Sequence, residues 1–63
     1  MKDQINEKLK QPGLDKMALA AALWPDSSVK ARRVMVNRLV ERGVKTLKHE
    51  QWVSIINFFT LNP

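Results

Sequence analysis

The chain has 63 residues, one small domain at most, and a chain of that size buries only about 60% of the surface its unfolded form exposes. It has no cysteine and a single histidine, His49, which excludes a disulfide framework, a thiolate metal site and a histidine metal cluster. Eleven Lys and Arg against six Asp and Glu leave +5, which favours a polyanionic partner, while 44% hydrophobic residues exclude a disordered basic tail.

The apolar residues recur at three and four rather than two, and no Asn-Gly or Asp-Gly turn is present, so the reading is all-helical. A first helix is expected over 2–11, with Ile5 and Leu9 on its narrow stripe and Pro12-Gly13 as its stop. A second starts from the N-cap Asp15 and runs through Leu19-Ala20-Ala21-Ala22-Leu23 to about Trp24, where Pro25 ends it. Its alanines mark a helix that another must approach closely. Asp26-Ser27-Ser28 supplies a turn and an N-cap for a third helix over 29–42, closed by Gly43.

At helical spacing Met35, Val36, Leu39 and Val40 share the inner side of that third helix with Val29. Arg32 falls amid this apolar arc, so it either lies at the rim with its stem buried or engages a carboxylate or phosphate. A loop over 43–47 leads to a fourth helix over 48–59 with a core stripe of Trp52, Ile55, Ile56 and Phe59. Asn62-Pro63 reads as an N-cap followed by N1. The expected architecture is therefore a compact four-helix bundle, or a five-helix one truncated at that point, forming one domain over 1–63. No apolar run approaches the ~20 residues that span a bilayer, and Met1-Lys2-Asp3-Gln4 opens no export signal, so a soluble cytoplasmic protein is expected.

The positive charge is concentrated in one place. Residues 27–48 hold Lys30, Arg32, Arg33, Arg38, Arg42, Lys45 and Lys48 against Glu41 alone, a net +6, and no other segment exceeds +1. Interleaving with Val36, Leu39 and Val40 makes this a structured basic face, and four arginines within eleven residues weigh against a face kept merely for solubility. No Gly-rich phosphate loop, metal-binding spacing or nucleophile with a nearby base can be read, and His49 beside Glu50 fits a surface position. A non-enzyme without cofactor, metal or small-molecule ligand is expected.

Two consecutive helices joined by a short turn, with the charge on the second, follow the helix-turn-helix plan. Gly13-Leu14-Asp15-Lys16-Met17-Ala18-Leu19-Ala20 resembles the turn and second helix of the lambda-repressor-like family of phage and prophage regulators, the Cro- and Xre-type proteins. Gly43 and the segment 47–59 resemble the loop and closing helix of that family. The turn over 23–28 departs from it, being longer than the usual glycine-containing one. The resemblance implies a double-stranded DNA-binding transcriptional regulator, nucleoid-associated when bound, with residues 28–42 presented to the major groove.

On that plan Lys30, Arg33, Val34 and Asn37 are the expected base readers: Arg suits guanine O6/N7, Asn suits adenine and Val34 a thymine methyl. Ser28, Arg38, Arg42, Lys45, Thr46 and Lys48 are expected at phosphates, and Lys16 falls where the resemblance implies a phosphate contact. Val53, Phe58 and Leu61 either complete the core or form a homodimer surface. The alternatives are a basic module that docks on an acidic protein and an excisionase-like architectural protein, which needs a wing hairpin. A membrane-active helix is disfavoured by the few bulky aromatics available to the third helix.

Overall fold

The computed structural model describes residues 2–61 and is all-α, with helices α1 (Lys2–Leu9), α2 (Lys16–Leu23), α3 (Val29–Arg42) and α4 (His49–Leu61). A one-turn 3-10 helix, Val44–Thr46, separates α3 from α4, and no strand occurs among the described residues. The helix start at Asn62-Pro63 lies outside them. No helix is long and apolar enough to cross a membrane among the described residues.

Side-chain caps fix where the two middle helices begin. Asp15 Oδ1 accepts the Ala18 N–H at 3.0 Å, and Ser28 Oγ accepts the Ala31 N–H at 3.1 Å. Each satisfies one of the four amide donors that a helix start leaves orphaned. At the other end of α2 the Trp24 N–H still reaches the Ala20 carbonyl at 2.8 Å, and Pro25 prevents continuation. α1 stops at Leu9, two residues short of the expected end, because Lys10 and Gln11 switch to tighter bonds onto Glu7 and Lys8.

The core is built from all four helices: Ile5 and Leu9 of α1, Leu19, Ala20 and Leu23 of α2, Val36 and Leu39 of α3, and Ile55 and Phe59 of α4. Leu19, Ala20 and Ile55 have no solvent exposure at all. α2 packs against both α3 and α4, which makes it the central element. The molecule extends 28 × 25 × 22 Å. The 14 residues of α3, about 21 Å at 1.5 Å per residue, therefore run nearly its whole width.

Three expectations about the core need correction. Val29 is 58% exposed, because the buried residues of α3 begin at Val36 and its first turn lies beyond the packed cluster. Trp52, Ile56 and Val40 are half-buried against the edge of the core rather than within it, and Met35 is half-buried along a surface groove. Val44, expected in a loop, is buried. The 3-10 turn tucks its side chain under α1, where the Val44 N–H donates to Asn6 Oδ1 at 3.0 Å.

This last contact explains Gly43. Its backbone sits at φ 84°, ψ 179°, a region only glycine occupies without strain, and a Cβ there would lie 3.0 Å from Asn6 Oδ1. Gly43→Ala is expected to lose about 1–3 kcal/mol, read as a lowered urea midpoint. Gly13→Ala, where φ is not positive and nothing lies within 4 Å of an added Cβ, is expected to be neutral or stabilising. For the core, Leu19→Ala or Ile55→Ala should cost about 2–5 kcal/mol, as much as so small a domain has to lose. Both variants are expected to show an unfolded far-ultraviolet circular dichroism spectrum, whereas Trp52→Ala keeps a cooperative melt at a lower midpoint.

Candidate nucleic-acid interface

α3 divides its residues cleanly by side. Val36 and Leu39 face the core, and the inward position one turn before Val36 is occupied by Arg32. That half-buried guanidinium turns back to the end of α2. Its Nε donates to the Trp24 carbonyl at 2.9 Å and its Nη2 to the Pro25 carbonyl at 2.7 Å. The connection over residues 24–28 carries no glycine and no positive φ, and this two-point contact holds it against α3. Arg32 is thus at the rim with its stem buried, and its partners are backbone carbonyls rather than a carboxylate or phosphate.

The other cations of this region, Lys30, Arg33, Arg38, Arg42, Lys45 and Lys48, are all exposed, as are Val34 and Asn37. Lys30, Val34, Asn37 and Glu41 follow one another at three- and four-residue steps opposite the Val36–Leu39 side, with Arg33 and Arg38 on its flanks. Ser28 is exposed at the start of α3, where its oxygen accepts from Ala31 and its hydroxyl hydrogen remains able to donate. Lys16 is exposed in the first turn of α2.

The residues after α3 do not form one group. Arg38, Thr46 and Lys48 line a groove floored by Trp24, Met35, Leu39 and Leu47, with Gln51 at its edge. Thr46 Oγ1 donates to the Gly43 carbonyl at 3.2 Å, which orders the turn beside that groove. Lys45 projects to a different one, shared with Lys2, His49 and Trp52. Sequence reading missed the approach of Trp24 and Gln51 to Arg38, and of Lys2 to Lys45. These residues lie on separate elements, and no local spacing carries such proximity.

On α4 the expected alternatives separate. Phe58 is half-buried against the core, its ring edge-to-face with Phe59 at a centroid distance of 5.3 Å. Val53 and Leu61 remain exposed, Leu61 at 79%. Lys8 Nζ of α1 lies 5.6 Å from the centroid of the Phe59 ring, a cation–π contact that closes this end of the bundle.

No family model, curated protein or solved structure matches this chain.

Replacing Arg32 by Met keeps the aliphatic stem and removes both bonds to the turn. A loss of about 1–2 kcal/mol is expected from hydrogen bonds with a charged donor, tempered by the exposure of the Pro25 contact. Urea titration of wild type and Arg32→Met measures it, and an unchanged midpoint would mean that the connection over 24–28 holds its shape without Arg32.

Proposed function

We propose that this chain is a sequence-specific double-stranded DNA-binding domain, a small transcriptional regulator of the lambda-repressor-like helix-turn-helix kind. The observation that carries this reading is the outer side of α3, where Lys30, Arg33, Arg38 and Arg42 are exposed together with Asn37 and Val34. The one inward arginine, Arg32, is committed to backbone carbonyls. A helix of this diameter fits the major groove, about 12 Å wide, and cations with an amide and an apolar group match the donors, acceptors and methyl groups displayed there. A solvated face needs neither the amide nor the valine. A winged architectural protein would need a hairpin, and no strand occurs among the described residues.

In this reading Lys30, Arg33, Val34 and Asn37 meet base edges. Ser28, Arg42 and the group Arg38, Thr46 and Lys48 meet phosphates on one flank, while Lys16 and Lys45 reach the backbone from other elements. Two copies on half-sites about 34–36 Å apart would supply the affinity that one domain lacks, with the exposed Val53 and Leu61 as candidate contacts.

Affinity for a duplex selected from a random pool, and for its scrambled counterpart, tests the division across a salt series. Arg33→Ala or Asn37→Ala is expected to cost about 1–3 kcal/mol on the selected duplex and much less on the scrambled one. Arg38→Ala or Lys48→Ala should weaken both duplexes alike and reduce the slope of log K against log salt by about one. Equal losses on both duplexes for Arg33→Ala and Asn37→Ala would reduce α3 to an electrostatic platform.

A further inference from the structure

Val34 is 52% exposed and belongs neither to the core cluster nor to the apolar residues packed around it. It stands opposite the buried side of α3, midway along the helix. Its neighbours at four residues before and at three and four residues after are Lys30, Asn37 and Arg38, all exposed, with Arg33 adjoining. A valine at such a place does nothing for the helix, since its branched Cβ lowers helix propensity relative to Lys, Ala or Glu. Among the described residues the remaining large exposed apolar residues lie elsewhere: Val29 in the first turn of α3, and Val53 and Leu61 on α4. The centre of the polar face thus carries a side chain that can neither donate nor accept a hydrogen bond.

On the major-groove edges of the four standard base pairs, thymine alone carries a methyl group, at C5. Guanine and adenine offer hydrogen-bonding atoms there, and cytosine an amino group beside a bare C5–H, so none of them presents a methyl for valine to cover. We infer that Val34 reads the C5-methyl group of a pyrimidine at the centre of the bound site, so that the ligand of this domain is duplex DNA carrying thymine or 5-methylcytosine at that step. The inference rests on the DNA-binding reading of α3. It adds a consequence: because Val34 senses the methyl and not the hydrogen-bonding edge, methylation of a cytosine placed at that step strengthens binding.

The probe is the duplex selected from a random pool, resynthesised with deoxyuridine at each thymidine in turn. At one position per half-site, loss of the methyl is expected to weaken wild-type binding about fourfold, the transfer free energy of a single buried methyl. Exchange of that pair for C·G, unmethylated or with 5-methyldeoxycytidine, should restore the same factor on methylation. In Val34→Ala both ratios should fall below about twofold, whatever the absolute affinity. Val29→Ala, equally exposed but in the first turn, should keep them. Circular dichroism of Val34→Ala verifies a helix whose propensity the change can only raise. Equal binding of thymidine and deoxyuridine duplexes, or a methyl effect that survives in Val34→Ala, overturns the inference while DNA binding by α3 stands. Absence of any salt-dependent duplex binding overturns both.

Discussion

Leu19 and Ala20 are both wholly withdrawn from solvent, at the point where α2 meets α3 and α4. An eight-residue helix has no stability of its own in water, so α2 exists because its neighbours cover it. They find their mutual positions through it. Alanine at position 20 keeps the side-chain volume between the axes small, and Leu19 fills what remains. Arg32 then fixes the connection over residues 24–28 by two hydrogen bonds to Trp24 and Pro25. The orientation of the outer side of α3 is set by these two devices together, one apolar and one polar.

Much of this was legible because it is local. Asp15 and Ser28 as caps, Pro25 as a stop and Gly43 after the last turn each act within a few residues, and α3 runs over the span those signals bound. The inward positions Val36, Leu39, Ile55 and Phe59 followed from helical spacing alone. What spacing cannot say is how far along a helix the neighbouring element reaches. Val29 has the right angle for the core and is exposed, because burial under α3 begins further along. Trp52 has the right angle too and reaches only the edge. Val44 sat in a stretch without periodicity, and only the approach of α1 from the far end of the chain buries it.

The candidate site divides in the same manner. That the cations of residues 27–48 would be exposed was readable from their alternation with apolar residues, and six of the seven are. Arg32 was the exception that spacing flagged but could not resolve, since its partners are carbonyls of the preceding turn. Lys45, Thr46 and Lys48, neighbours in sequence, do not line one groove. The 3-10 turn sends Lys45 toward Lys2 and His49, and Thr46 and Lys48 toward Arg38. A turn of three residues per revolution separates sequence neighbours as thoroughly as it unites distant ones.

The hydrogen bond from Val44 to Asn6 closes a span of 38 residues, whereas the caps of α2 and α3 close spans of three. A difference in entropic cost follows from that disparity. Local bonds form at little entropic cost, whereas docking α1 closes a far longer loop and carries the larger closure cost. Without α1 the Val44 amide would lose its acceptor and the corner at Gly43 its neighbour. The placement of the turn bearing Lys45 and Thr46 thus depends on a helix from the opposite end of the chain.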